Sequence, residues 1–185
     1  MLAVAAPSKC SLCGKSSSHS VFFNVATFIA SGNVVFETTT KRTETLERKI
    51  EKALKEALGY EVRTFVRGED ELAKIANYRP FLGSKFDETW RSNIIFLTDN
   101  LNTKLKQNVK ALRTKTDEFE VHGREVYWRQ RRKQNGALFS TVPLEKILGP
   151  AFTVRGANTI KRIVSENTVH QRCAKLRVDR WAAFV

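Results

Sequence analysis

The stretch TFIASGNVVFE, residues 27–37, decides the fold of this chain. The residues before Ser31 alternate between two faces, which is the pattern of a strand. Gly32 and Asn33 follow, and both residue types tolerate positive φ, so the chain can reverse there. Residues 34–36 are β-branched or aromatic and favour a return to extended structure. The stretch therefore predicts a β-hairpin.

The turn of this hairpin has two interpretations. Turn chemistry alone explains Ser31, Gly32 and Asn33. Loops also carry function more often than the elements that they join, so the hydroxyl and amide groups of these residues form a candidate ligand site. Both interpretations stay open at the level of sequence.

Composition places the chain among ordinary globular proteins. Its 185 residues suffice for one compact domain or two small ones. A hydrophobic content of 42% and a charged content of 28% are typical of folded domains, so the chain is not expected to be disordered.

The chain is strongly basic. It has 32 Lys and Arg against 19 Asp and Glu, a formal net charge of +13, and residues 24–165 carry most of the excess. Such a charge favours polyanionic partners, nucleic acid among them, without specifying one. The alternative is a well-solvated basic protein. Partner and oligomeric state are not indicated by the sequence.

The sequence predicts a cytoplasmic protein. No apolar run approaches the roughly 18 residues of a membrane helix, so no membrane partner is expected. Residues 1–6 lack the basic start and the apolar length of a secretory signal. Three cysteines cannot pair completely, which argues against a disulfide framework.

The N-terminal segment contains the weak metal candidates Cys10, Cys13 and His19. A structural zinc site needs four ligands, and the remaining cysteine, Cys173, is remote in sequence. We therefore expect reduced thiols in a loose segment and neither a metal nor a cofactor.

Two helices are indicated in the first half. Apolar residues from Leu46 to Leu58 recur at helical spacing and predict a helix over 43–58 with one continuous apolar face, closed by Gly59. A shorter helix is expected over 69–78, where three acidic residues suit the positive end of the helix dipole.

The order of elements predicts an α+β fold of two ferredoxin-like (split βαβ) units in tandem. The second half reads as a strand (93–98), a helix (101–113), two strands (118–121 and 125–128), a helix (142–148) and a last strand (152–154). This is the βαββαβ order of a ferredoxin-like unit. The first half follows the same order but lacks the opening strand and the opening helix.

These elements set the predicted domain boundaries. They are an atypical N-terminal segment (1–23), an incomplete first ferredoxin-like unit (24–78), a connector (79–92), a second unit (93–165) and an atypical tail (166–185).

The densest basic run is RQRRK, and its cations Arg129, Arg131, Arg132 and Lys133 are candidate nucleic-acid contacts. A flexible basic loop beside aromatic residues can hold phosphates and stack on bases. The alternative is a solvated hairpin end whose neighbouring aromatics face the core.

Several segments resemble one family. The hairpin stretch, the strand and turn EVRTFVRGEDEL (61–72), GREVYW (123–128) and RGANTIKRI (155–163) are similar to the bacterial domain-of-unknown-function 1697 family. The resemblance covers about residues 24–165. It implies an α+β fold of paired ferredoxin-like units and no assigned activity.

The resemblance also indicates a second candidate site. Arg155, Asn158 and Thr159 match the family's arginine-and-asparagine motif at a helix start. A guanidinium beside a helix N-terminus can bind an anion. The alternative is that Arg155 pairs with a carboxylate and Asn158 caps the helix.

The ends depart from the family. Its members open with a strand, an arginine-glycine-rich loop and a helix, and neither the loop nor the helix is present here. Residues 166–185 are unlike the family's ending, and both ends read like sequence out of register or a diverged copy. The missing strand would leave neighbouring backbone groups unpaired unless residues 2–6 supply it. The missing helix would leave an apolar face open.

Three functional hypotheses follow. The leading one is a non-enzymatic or uncharacterised cytoplasmic α+β protein of this family, for which a role as a binding module stays open. The second is a basic RNA- or DNA-binding protein. The third is a small-molecule or phosphate-binding enzyme with a site between the units, built from Ser31, Asn33 and Arg155. Histidines at 19, 122 and 170 form no catalytic constellation in the sequence, so catalytic residues stay unknown.

Overall fold

The computed structural model of the protein describes residues 22–28, 32–81, 90–131, 141–170 and 179–185, with side chains for all of these except 142 and 167–170. In chain order the elements are β1 (Phe23–Phe28), β2 (Asn33–Thr38), α1 (Thr43–Leu58), β3 (Phe65–Gly68), α2 (Glu69–Asn77), β4 (Trp90–Leu97), α3 (Thr103–Ala111), β5 (Asp117–His122), β6 (Glu125–Arg131), α4 (Val142–Leu148), β7 (Phe152–Gly156), α5 (Ala157–His170) and β8 (Asp179–Phe184). The protein is a mixed α and β structure.

The first sheet has the order β1-β2-β8-β3, and each neighbouring pair is antiparallel. The hairpin predicted from residues 27–37 is present as β1 and β2. The strand β8 pairs with β2 from Asn33 opposite Phe184 to Thr38 opposite Asp179. Its other edge pairs with β3, where Phe65 lies opposite the same Phe184.

The origin of β8 corrects the expectation for this sheet. The sequence suggested that backbone groups of the first unit would stay unpaired unless residues 2–6 filled the gap. In the described residues β8, from the tail 166–185, fills a central position and pairs on both edges. The tail also contains the end of α5, which runs to His170. Residues 2–6 lie outside the described ranges.

The second sheet has the order β5-β6-β4-β7, again antiparallel throughout. Its strands and helices alternate as the sequence predicted, with α3 between β4 and β5 and α4 between β6 and β7. The strand β4 lies inside this sheet and carries the apolar run NIIFL (93–97).

This apolar run is covered on both faces. Ile94 and Phe96 join the core between the two sheets, while Ile95 and Leu97 join the core on the opposite face. The rings of Phe96 and Phe184 stack with centroids 4.4 Å apart, so β8 is part of the core that joins the sheets.

The helix α1 covers the other face of the first sheet only in part. Leu46 is fully buried, and Glu47 beside it accepts the N–H of Val66 at 2.9 Å. Leu58 at the end of the helix is 49% exposed, as is Val25 of β1 at 47%. The predicted apolar face of α1 is therefore buried only in its first half, which leaves apolar surface of the described chain open.

A buried ion pair also joins the two sheets. Arg67 of β3 is fully buried and donates from Nε to Glu125 of β6 at 2.8 Å. Its Nη2 donates to the main-chain oxygen of Leu97 at 2.8 Å. Burial raises the pKa of Glu125, and the charge of Arg67 opposes that rise. Breaking such a pair leaves an uncompensated buried charge, so it fixes how β3 meets the second sheet.

Candidate functional site

Two residues from separate sequence motifs meet where the sheets join. Arg155 lies in β7 opposite Ile94 of β4, and Asn33 begins β2. The Nε of Arg155 donates to Oδ1 of Asn33 at 2.8 Å, although the residues are 122 positions apart in sequence. The hairpin turn and the arginine motif therefore form one site.

A threonine hydroxyl and two main-chain oxygens hold the rest of the guanidinium of Arg155. Its Nη1 donates to Oγ1 of Thr153 at 2.7 Å and to the main-chain oxygen of Val154 at 2.9 Å. Its Nη2 donates to the main-chain oxygen of Val185 at 2.5 Å. Among the described residues no Asp or Glu side chain forms an ion pair with Arg155, and the alternative that Arg155 pairs with a carboxylate stays a prediction.

Burial lowers the pKa of Arg155, because desolvation disfavours the charged form of the side chain. Arginine stays protonated in proteins, so the protein bears the cost of desolvating a cation and does not hold a neutral side chain. A partly buried guanidinium attracts an anion more strongly than an exposed one, since water screens its charge less.

Gly32 lies where Val185 approaches this site most closely. Its φ is +70°, as the sequence predicted for this position. A Cβ here would lie 2.9 Å from the main-chain oxygen of Val185 and 3.6 Å from Nη2 of Arg155. Glycine is thus required both by the backbone conformation and by the close approach of Val185. Ser31, the first residue of the predicted turn, lies outside the described residues.

Asn33 differs from its prediction as a turn residue. It is the first residue of β2, is 1% exposed and does not have positive φ. Its Nδ2 donates to the main-chain oxygen of Phe28 at 3.0 Å, across the hairpin. The side chain therefore closes the hairpin with one end and orients Arg155 with the other.

The residues at the start of α5 lie next to Arg155 in sequence. The helix begins at Ala157, so Asn158 is an exposed residue of its first turn and not the cap that the sequence predicted. Thr159 is partly buried, and its Oγ1 would lie 3.6 Å from a Cβ at Gly156. These two residues flank the site, and among the described hydrogen bonds of the guanidinium none goes to either of them.

Arg129 and Arg131, two cations of the predicted nucleic-acid run, lie in different environments. Arg129 is 3% exposed and pairs with Glu118 at 2.5 Å. It also lies between the rings of Phe81 and Trp90, at 4.7 and 4.6 Å from their centroids. This arrangement does not offer the charge of Arg129 to a nucleic acid. Arg129 is therefore a packed strand residue, whereas the alternative interpretation of the run expected a solvated hairpin end.

Arg131 differs from Arg129 in its exposure to solvent. Arg131 at the end of β6 is exposed and lies over Trp90 at 5.2 Å. Arg132 and Lys133 lie outside the described residues. Tyr127 and Trp128 are buried, so they belong to the core and are not surfaces on which bases stack.

The remaining candidates give no catalytic or metal centre in the parts of the chain that are described. Within those ranges no group of three His, Cys, Asp or Glu side chains is placed to hold a metal ion. Cys10, Cys13, His19 and Cys173 lie outside them. His122 stacks face to face on Tyr78 with ring centroids 4.3 Å apart.

A comparison with protein families shows which family the chain belongs to. A family model described as "Protein of unknown function (DUF1697)" matches residues 17–127. The chain belongs to this family. The DUF1697 match includes Gly32 and Asn33 and ends at Tyr127, so Arg155, Asn158 and Thr159 lie beyond it. No curated protein and no solved structure matches the chain.

Among the described residues, no helix has both the length and the apolar content needed to cross a bilayer.

Sequence reasoning missed two residues of the site. Thr153 is an ordinary strand residue of β7 and carries no motif. Val185 follows the run RWAAF (180–184), whose apolar residues were a usable signal for a buried strand. Nothing local in that run indicates that it would pair with β2, which lies near the other end of the described chain, because such pairing is a property of the whole sheet.

Proposed function

We propose that this protein is an anion-binding module whose site is built by Arg155, Asn33 and Gly32 where the two sheets join. The observation that supports it is the guanidinium of Arg155, which is partly buried, has its pKa lowered by desolvation and has no Asp or Glu partner in the described chain. The ligand class is a small oxyanion, a phosphate or a carboxylate.

The hydrogen bonds that Arg155 already makes indicate where such an anion would bind. A guanidinium has five N–H groups. Nε and both hydrogens of Nη1 are engaged by Asn33, Thr153 and Val154, while Nη2 has one described acceptor, the oxygen of Val185. The second hydrogen of Nη2 therefore defines the binding position.

The fold supports a module of this kind. We propose that the two sheets are two ferredoxin-like units, because the second has β-α-β-β-α-β connectivity with order β5-β6-β4-β7 and the first reaches the corresponding arrangement through β8. A cytoplasmic location, a non-enzymatic role and the predicted domain boundaries belong to the same proposal.

The test is ligand-induced stabilisation. Inorganic phosphate and pyrophosphate are added to the native protein, to Arg155→Ala and to Arg91→Ala, in which an exposed arginine of β4 is removed instead. At about 100 times Kd a ligand raises the free energy of unfolding by about 2.7 kcal/mol. We expect a rise in Tm for the native protein and Arg91→Ala, and none for Arg155→Ala.

Each variant is compared with its own ligand-free melt. Arg155→Ala also removes four hydrogen bonds within the protein, so its Tm starts lower. Equal shifts in all three proteins, or no shift in any of them, would contradict the proposal.

A nucleic-acid partner is a second proposal, favoured by one observation. Arg131 is exposed over Trp90 at the end of β6, directly before the remaining basic residues of the run. An arginine on an aromatic ring offers both a phosphate contact and a stacking surface. The salt dependence of RNA binding, compared between the native protein and Arg131→Ala, tests this partner.

A further inference from the structure

Two guanidinium groups lie over one aromatic ring at the end of the second sheet. Trp90 of β4 lies opposite Arg131 of β6, and the neighbouring pair on the same two strands is Ser92 opposite Arg129. The guanidinium carbon of Arg129 lies 4.6 Å from the centroid of the Trp90 ring, and that of Arg131 lies 5.2 Å from it. The ring is therefore shared between two cations.

The two cations differ in what balances their charge. Arg129 is 3% exposed and pairs with Glu118 through Nε at 2.6 Å and through Nη2 at 2.5 Å. Arg131 is exposed, and among the described residues no Asp or Glu side chain forms an ion pair with it. Because Glu118 balances Arg129, the charge left on the ring of Trp90 is that of Arg131.

We infer that Arg131, supported by Trp90, is a stacking position for one unpaired base of a single-stranded nucleic acid. This inference rests on the nucleic-acid partner proposed above for the same residue. It goes deeper than that proposal because it names the form of the partner, a single strand, and the way in which the partner is recognised, through the face of a base.

The shape of the guanidinium supports this kind of recognition. The group is planar and its five N–H donors lie in its plane, so its face can stack on a base while its edge donates to a phosphate. The ammonium of lysine carries the same charge but has no plane. An arginine at this position therefore offers more than attraction to phosphate.

The exposed charges close to Arg131 suit a phosphate backbone. Its main-chain N–H donates to the main-chain oxygen of Thr116 at 2.8 Å, and Lys115 next to Thr116 is exposed. The carboxylate of Asp117 is engaged by Nε1 of Trp128 at 3.2 Å and by the hydroxyl of Thr116 at 2.7 Å. Lys115 and Arg131 can therefore attract the phosphates on either side of a stacked base.

The packing of the neighbouring aromatic residues limits the position to one base. Tyr127 and Trp128 are buried, and Phe81 lies over Arg129 with 4.7 Å between the ring centroid and the guanidinium carbon. Bases within a duplex are stacked on both faces, so a base must leave the duplex before its face can meet a side chain. A single strand meets this condition, and every base has a face that can stack.

The experiment compares the native full chain with Arg131→Lys and Arg131→Ala. Lysine keeps the charge and loses the plane, so Arg131→Lys separates stacking from attraction to phosphate. The matched control is Arg91→Lys, which changes an exposed arginine of β4. Fluorescence anisotropy of a labelled RNA of about eight uridines measures the affinity at several salt concentrations. Near-UV circular dichroism of each protein checks that its packing is native.

We expect Arg131→Lys to bind this RNA about tenfold more weakly than the native protein, the size expected for the loss of one stacked base, with an unchanged salt dependence. Arg131→Ala should lose both affinity and salt dependence, and Arg91→Lys should bind as the native protein does. Equal affinities for Arg131→Lys and the native protein, with weaker binding by Arg131→Ala, would overturn the stacking position and leave a charge-based nucleic-acid partner standing. No binding by the native protein would overturn both.

The form of the partner is tested with two further probes on the native protein. The same RNA annealed to its complement should bind about tenfold more weakly, although a duplex has the higher charge density and attracts a merely basic surface more strongly. Uridine monophosphate should displace the labelled RNA only at concentrations far above those at which the unlabelled RNA does. Equal or tighter binding of the duplex, or displacement by the mononucleotide at the same concentration as the RNA, would overturn the single strand as the partner.

Discussion

Phe184→Ala tests whether the tail strand is part of the core. Phe184 is fully buried, lies opposite Asn33 and Phe65 in the first sheet, and stacks on Phe96 of the second at 4.4 Å. Truncation of a buried phenylalanine to alanine costs about 3–5 kcal/mol. Since a domain is stabilised by about 5–15 kcal/mol in total, this single change should remove a large part of the stability.

Urea unfolding followed by near-UV circular dichroism measures the loss. A fall of about 3–5 kcal/mol corresponds to a decrease in Tm of about 6–20 °C for a chain of this size. The control is Val185→Ala, at the next position but 36% exposed, which should change the stability by less than about 0.5 kcal/mol. A loss below about 1 kcal/mol in Phe184→Ala would refute the reasoning, because β8 would then not lie in the core.

Three further predictions concern separate parts of the molecule. Gly32→Ala should lower the free energy of unfolding by about 1–3 kcal/mol, since φ is +70° and the new Cβ would meet Val185 at 2.9 Å; an unchanged urea midpoint would contradict it. Burial raises the pKa of the Glu47 carboxyl above 4.5, so the folded protein binds a proton at Glu47 more tightly than the unfolded chain does. The native protein therefore loses this part of its stability as pH rises from about 4.5 to 7, and Glu47→Gln should gain stability relative to it over the same range. Urea titrations in which Glu47→Gln instead loses relative stability as pH rises would contradict the prediction. If RNA binds through the basic run, Arg131→Ala should reduce the slope of log K against log salt by about 1, while an equal loss in Arg91→Ala would show a diffuse charge effect instead.

The elements with strong local signals were predictable. The helix α1 runs over residues 43–58 as its apolar spacing indicated, and Gly59 closes it in the left-handed conformation. The hairpin turns at Gly32, and β4 is covered on both faces. Periodicity and turn chemistry act within a few residues, so they can be read without knowledge of the whole fold.

The position of β8 could not be predicted from such signals. Its last four residues, WAAF, are apolar, which is compatible with a buried strand or with a helix segment. What favours the strand is the gap between β2 and β3, whose backbone groups need partners. That gap exists only in the assembled sheet.

The site was predictable only in part, because the sequence singles out residues but does not show which of them the fold brings together. Asn33 and Arg155 were each singled out, one by turn chemistry and one by the family resemblance, and the fold brings them to 2.8 Å. The burial of Arg129 was not visible in the sequence, because a run of basic residues gives no sign of which one alternates into the sheet beside Glu118.

A titration of inorganic phosphate, followed by nuclear magnetic resonance of the arginine Nε–H groups, tests the anion site most directly. We expect a saturable shift of the Arg155 signal, accompanied by the amide of Val185, with Arg91 unaffected. A shift shared by all arginines without saturation, or a constant Arg155 signal, would contradict an anion site at this position.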